Sequence, residues 1–158
     1  MHVLLLGGTG NLGLRMIPAL LAHNHTVIAY VRSESKIRSL ITSRLAEHIT
    51  IHIGDALDPD AVAAALRQHG CDAIMNTADN FAPPWREQYL WKIAASVSGA
   101  AIKVGHERGK VLRAWFIGGA TSLVYPYPGN DKRWRVQKIF CRDGELSIIA
   151  GQRKCWRK

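Results

Sequence analysis

Val3-Leu-Leu-Leu-Gly-Gly-Thr-Gly-Asn-Leu-Gly13 is the stretch from which the rest of the chain is read. A short apolar run meets three glycines spaced by three, at Gly7, Gly10 and Gly13, and a helix-like segment follows. The strand His2–Leu6 is short and apolar, as a parallel strand covered on both faces must be. Gly7 permits a tight turn. Gly10 lets the backbone approach a pyrophosphate with no β-carbon in the way, and Gly13 lets the new helix pack close to the sheet. The free N–H groups opening that helix then point at phosphates, where the helix dipole favours negative charge. The strand before and the helix after separate this spacing from an ordinary glycine-rich turn. The stretch predicts a dinucleotide site.

Outward from it, apolar runs alternate with amphipathic segments, which predicts βαβ units and a Rossmann-like, doubly wound parallel sheet of about five core strands. Strands are expected at His2–Leu6, Thr26–Val31, Ile49–Ile53, Ala73–Asn76 and Val111–Ile117. Helices are expected at Asn11–His23, with a kink at Pro18, and at Ser35–Leu40. Asp58-Pro59-Asp60 starts another, with an N-cap, proline at the first position and acid in the first turn. It runs to Gln68. Pro83-Pro84 precedes a long helix over Trp85–Gly105. Beyond Gly119 the periodicity fades: Lys132–Phe140 reads as a short helix, Leu146–Ala150 as a strand and the last eight residues as a polar, basic end. The chain divides into a dinucleotide-binding domain over 1–129 and a basic C-terminal segment over 130–158 that is no independent domain.

The 158 residues suffice for one domain with a real core. No run approaches the roughly 18 apolar residues of a membrane span, and the first strand leaves no room for a signal peptide. Cys71, Cys141 and Cys155 are scattered and odd in number, which predicts free thiols, a reducing cytoplasmic setting and no zinc site. The net charge of +9 is uneven. Residues 1–102 carry eight Lys/Arg and eight Asp/Glu, and residues 103–158 carry thirteen and four. A basic end of this kind suits nucleic acid, an anionic surface or plain solvation. It carries no recognisable nucleic-acid motif, so nucleic acid is the disfavoured partner.

Gly7-Gly-Thr-Gly-Asn-Leu-Gly13, Tyr30-Val-Arg-Ser-Glu-Ser-Lys36, Gly54-Asp55 and Phe116-Ile-Gly-Gly-Ala-Thr-Ser-Leu123 fall in the order and spacing of an atypical short-chain dehydrogenase/reductase. Over about residues 1–129 the chain resembles the NAD(P)H-binding group of NmrA-like proteins, NADH-flavin-reductase-like proteins and biliverdin reductase B. The resemblance implies a cofactor at the carboxyl ends of the strands. It implies Gly7, Thr9, Gly10, Asn11 and Leu12 at the pyrophosphate, and Asp55 and Ala56 along the adenine. Asn76, Thr77 and Ala78 would line the path to the nicotinamide ribose. Such proteins usually continue to about two hundred residues or more, and a truncated or misread gene end is one explanation for the departure from the pattern after Asp131, an ordered but atypical end another.

NAD-binding chains usually place an acid about twenty residues past the glycines, at the end of the second strand. Here Arg32 stands there, with Ser33, Ser35, Lys36 and Arg38 behind it. A guanidinium binds a 2′-phosphate that a carboxylate would repel, so NADP(H) is expected over NAD(H). Against this stand two alternatives: Arg32 as a solvated loop residue, and Glu34 folded back onto a ribose.

Ordinary members of the superfamily use a Tyr-x-x-x-Lys pair, in which the lysine lowers the phenol pKa. Four residues after Tyr30, Tyr89, Tyr125 and Tyr127 stand Glu34, Ile93, Gly129 and Asp131, so the pair is absent. The weak catalytic candidates are the hydroxyls of Thr121, Ser122 and Tyr125, with Tyr127 beyond; turn-capping and packing roles suit them equally. The seven histidines have no metal-ligand spacing and read as surface or capping residues. Trp85, Trp91 and Trp115 read as packing residues. Two functions follow: an oxidoreductase passing hydride to a small planar acceptor of flavin or quinone type, or a non-catalytic redox sensor of NmrA-like type that binds dinucleotide and a regulatory protein partner.

Overall fold

The computed structural model describes residues 1–78, 89–116, 135–142 and 145–151. Its centre is a five-stranded, wholly parallel sheet of β1 (His2–Leu6), β2 (Thr26–Val31), β3 (Ile49–Ile53), β4 (Ala73–Asn76) and β5 (Arg113–Phe116). The order across the sheet is β3-β2-β1-β4-β5. Five helices are described: α1 (Asn11–Ala22), α2 (Glu34–Leu40), α3 (Ser43–Ala46), α4 (Pro59–Gln68) and α5 (Tyr89–Arg108). This is the Rossmann-like α/β architecture expected from the sequence.

Alternate side chains of each central strand enter two separate cores, which is why these strands are apolar on consecutive positions. Leu4, Leu6, Ile28, Tyr30 and Ile74 face Val62 and Leu66 of α4 and Ile93, Val97 and Val104 of α5. Val3, Leu5, Val27, Ala29, Val31 and Ala73 face Ile17 and Leu20 of α1 and Ile37 of α2. Helices on both faces leave the carboxyl ends of the strands free to carry loops.

The helix starts follow local chemistry. Asp58 caps α4 through Oδ1, accepting from the N–H groups of Asp60 and Ala61, and Pro59 occupies the first turn, where no N–H is needed. Ser33 caps α2 by accepting from the Lys36 N–H, and Thr42 caps the single turn of α3 by accepting from the Leu45 N–H.

Two expectations are corrected. Of the expected helix Lys132–Phe140, the described part is strand instead: β6 (Arg135–Arg142) pairs antiparallel with β7 (Glu145–Gly151) in a separate two-stranded sheet. Trp91 and Trp115 are not buried packing residues, being 59% and 42% exposed. Trp91 lies on α5, and Trp115 alternates with the half-buried Ala114 and Phe116 on the edge strand β5. Trp85, the Pro83-Pro84 break and residues 152–158 lie outside the described residues.

Candidate dinucleotide site

β1 and β4 are neighbours at the point where the strand order reverses, and in open α/β sheets ligands bind beyond the carboxyl ends at that point. Leu6 and Asn76, the last residues of the two strands, are paired in register. Directly beyond them Gly7 turns with φ +79°, in the left-handed region that favours glycine. A β-carbon on Gly7 would also lie 2.5 Å from the Ala78 nitrogen and 2.6 Å from the Thr77 carbonyl carbon. The two loops are tied together there. Thr77 donates to the Leu6 carbonyl twice, from its N–H at 3.0 Å and from Oγ1 at 2.7 Å. Buried Asn76 accepts the Ala78 N–H on Oδ1 at 3.1 Å.

The glycine loop closes when the Gly10 N–H donates to the Gly7 carbonyl at 2.9 Å. Gly10 then caps α1 in an extended conformation with no side-chain cap, and the first turn holds no acid. The N–H groups of Asn11, Leu12 and Gly13 therefore begin the helix without intrahelical acceptors. A β-carbon on Gly10 would meet only the Gly7 carbonyl, at 3.3 Å, so its outer side is open to an approaching group. Unpaired N–H donors, a positive helix end and a cradle that a β-carbon would partly fill fit a pyrophosphate. Gly7, Thr9, Gly10, Asn11, Leu12 and Gly13 share this loop and helix start. Asn76, Thr77 and Ala78 adjoin it across the strand ends.

The second group of sequence-selected residues follows β2. Arg32 is exposed, and its guanidinium makes no hydrogen bond or ion pair among the described residues; the same holds for the Lys36 ammonium. Ser33 and Ser35 share a hydrogen bond at 3.0 Å between their hydroxyls. Glu34 turns along its own helix and pairs with Arg38, with both Arg38 Nε and a terminal nitrogen at 2.7 Å from the carboxylate. The carboxylate that competes with the NADP reading is thus engaged one helical turn away.

Asp55 and Ala56 lie in the turn after β3. The Asp55 carboxylate is exposed and accepts the Leu57 N–H at 3.0 Å, while Ala56 packs against the core beneath α4 and α5. Tyr30 donates its hydroxyl to the Asp55 carbonyl at 3.1 Å. Burial, with Asp58 and Asp55 nearby, pushes the phenol up to about 12, so it remains a donor at physiological pH.

His52 corrects the reading of the histidines as surface or capping groups alone. It is half-buried, stacks on Tyr30 at 5.5 Å between ring centroids, and shares a 3.0 Å hydrogen bond between its Nδ1 and His69 Nε2. Burial, then the neighbouring His69, lowers its pKa. His23 and His69 do stand at helix C-caps. No sequence signal joins His52 to His69, because only the fold brings the C-cap of α4 to the side chain on β3. Among the described residues no group of three or more His, Cys, Asp or Glu side chains is placed to hold a metal. None of the described helices is long and apolar enough to cross a membrane. Thr121, Ser122, Tyr125 and Tyr127 lie outside the described residues.

Residues 7–125 match the family model described as NAD(P)H-binding, and the chain belongs to that family. Among solved structures, it is similar to the anaerobilin reductase ChuY from Escherichia coli O157:H7 at 28% identity and a TM-score of 0.51, over 66% of this chain and 47% of that one. Vestitone reductase from alfalfa (Medicago sativa) gives 25% identity and a TM-score of 0.55, over 83% of this chain and 39% of that one. A UDP-glucose 4-epimerase from Stenotrophomonas maltophila, with bound NAD and formylated UDP-arabinopyranose, gives 19% identity and a TM-score of 0.62, over 82% and 40%. The last shares the fold. The chain spans about half the length of these structures or less. No curated protein matches it.

Proposed function

We propose that this NAD(P)H-binding chain prefers NADP(H) to NAD(H) and is an oxidoreductase passing hydride to a small planar acceptor of flavin or quinone type. The observation that carries the preference is the end of β2, where Arg32 and Lys36 offer cations unpaired among the described residues and Glu34 is held by Arg38. A guanidinium and a serine pair suit a 2′-phosphate, whose charge a free carboxylate would repel. The pyrophosphate would lie on the N–H groups from Asn11 to Gly13, the adenine along Asp55 and Ala56, and the nicotinamide ribose beside Asn76, Thr77 and Ala78.

The bound nicotinamide supplies the hydride, and the chain's share is to orient it and keep an acceptor stacked against it. The absence of a Tyr-x-x-x-Lys pair suits an acceptor that needs no phenolic proton donor. That same absence favours a second reading, a dinucleotide-binding regulator without turnover.

Calorimetric titration with NADPH and NADH tests the preference; NADPH is expected to bind at least ~10-fold more tightly, the scale of one charge-assisted hydrogen bond. Equal or tighter binding of NADH overturns it. NADPH oxidation against flavins and quinones then separates the two readings, since intact binding without turnover leaves the regulator.

A further inference from the structure

Tyr30, His52 and His69 come from β2, β3 and the C-cap of α4, yet they form one continuous run of rings. Tyr30 and His52 are adjacent in register on paired strands and lie nearly parallel, 12° between ring planes. His69 meets His52 edge-on, with 5.1 Å between centroids and the 3.0 Å nitrogen–nitrogen hydrogen bond. The far end is anchored too, because the His69 carbonyl lies 3.2 Å from His2 Nδ1 on β1. The near end is the Tyr30 hydroxyl on the Asp55 carbonyl.

Gly54 is fitted to this run. A β-carbon there would collide with the Tyr30 hydroxyl and its ring. The Gly54 N–H is itself held by the Val31 carbonyl at 3.0 Å. Glycine at 54 therefore lets the phenol pass beneath the chain and reach the next carbonyl, at Asp55. Two more bonds close the turn, from the Leu57 N–H to Asp55 Oδ1 and from the Asp58 N–H to the same Asp55 carbonyl. Nothing about holding β3 in the sheet requires a phenol there; the hydroxyl's partner is the turn.

We propose that Tyr30 is a positioning residue for the Gly54–Leu57 turn, and that the His52–His69 pair behind it makes the adenosine end of the dinucleotide site proton-sensitive. The inference rests on the proposed placement of adenine along Asp55 and Ala56. The chemistry is that of a shared hydrogen bond between two imidazoles. One ring must donate and the other must accept through a lone pair, so the bond survives one proton on the pair and is lost when both rings are cations. Two adjacent imidazolium rings then repel, which loads the stack of His52 on Tyr30. Facing groups are Asp55 and Asp58 on the Tyr30 side and His2 behind His69. Burial and His69 both hold His52 neutral until the pH falls below its ordinary range.

ADP-ribose is the probe, because it carries the adenosine and pyrophosphate with no group titrating near neutrality. Its affinity and that of NADPH are measured by calorimetry between about pH 5.5 and pH 8 for the wild type, Tyr30→Phe and His69→Gln. Amide hydrogen exchange at Leu57 is followed in the ligand-free proteins. Tyr30→Phe is expected to weaken ADP-ribose by ~3–10-fold at pH 8, the scale of one hydrogen bond, and to speed Leu57 exchange. In the wild type, affinity for ADP-ribose holds through the ordinary imidazole range at about pH 6.5 and falls only below it, as the second ring of the pair takes its proton. In His69→Gln, where the amide keeps a neutral partner for His52, it stays level. Unchanged affinity and exchange in Tyr30→Phe, or an unchanged pH profile in His69→Gln, overturns the inference. A wild type that binds neither ligand overturns the dinucleotide reading, and faster Leu57 exchange in Tyr30→Phe would still uphold the positioning role.

Discussion

Gly13 lies so close to Gly7 that a β-carbon on the former would overlap the latter's carbonyl oxygen. The same carbonyl accepts the Gly10 N–H, so one oxygen closes the loop and fixes how near the first turn of α1 sits. Gly13→Ala would have to push α1 away from the end of β1. It is expected to cost roughly 1–3 kcal/mol, as overpacking of a tight contact does, and to abolish detectable dinucleotide binding. Thermal unfolding and calorimetric titration check the two effects. A variant of wild-type stability that still binds would mean that the helix has room the geometry denies.

Cofactor choice is expected to turn on two arginines with opposite sites of action. Arg32→Glu removes the cation at the end of β2 and places a carboxylate there; NADPH affinity should fall by ~10-fold or more while NADH is weakened less. Arg38→Ala leaves that cation in place but releases Glu34 from its 2.7 Å pair. It should narrow the NADPH preference without touching the phosphate site directly. Titrations of both cofactors against both variants measure this, and an unchanged preference in Arg32→Glu would assign Arg32 to solvent.

The central sheet was legible because its inner strands are short runs of consecutive apolar residues set between polar or glycine-bearing turns. β2, β3 and β4 begin and end where the sequence places them, and α4 runs from the Asp58-Pro59 start to Gln68. The far end was not. In β6 the register shifts between Val136 and Ile139, so the period of two that marks a strand is broken inside it. That left the apolar spacing of Lys132–Phe140 resembling a helix. α3 was missed because a single turn needs only the Thr42 cap and leaves no periodic pattern. The glycine cradle follows from spacing, whereas the Tyr30–His52–His69 run depends on which strands become neighbours.

Cys71 is expected to be chemically silent. It is buried and its thiol is pushed up to about 11, chiefly by burial and against the opposing pull of Arg108. The thiolate is the reactive form, so at pH 8 Cys71 should resist maleimide for as long as the chain stays folded. Peptide mapping by mass spectrometry after timed labelling reads this residue separately from Cys141 and Cys155. Rapid native labelling at Cys71 would show that α4 and β4 open locally far more often than their packing implies.

Acid stability should depend on Asp72, just before β4. Its carboxylate accepts from the Lys110 ammonium at 2.9 Å and the His2 N–H at 3.1 Å, joining the starts of β1 and β4 to the segment leading into β5. The Lys110 bond, then the His2 bond, lowers its pKa to about 2. A carboxylate with a depressed folded-state pKa stabilises the fold above its unfolded pKa of about 4, and that contribution is lost as pH falls towards about 2. The carboxylate is partly exposed, so screening keeps the effect modest. Melting temperature followed from pH 5 to pH 2 should therefore fall more steeply in the wild type than in Asp72→Asn, with the two curves converging at the acid end. Parallel curves across that window would place the acid sensitivity in other carboxylates.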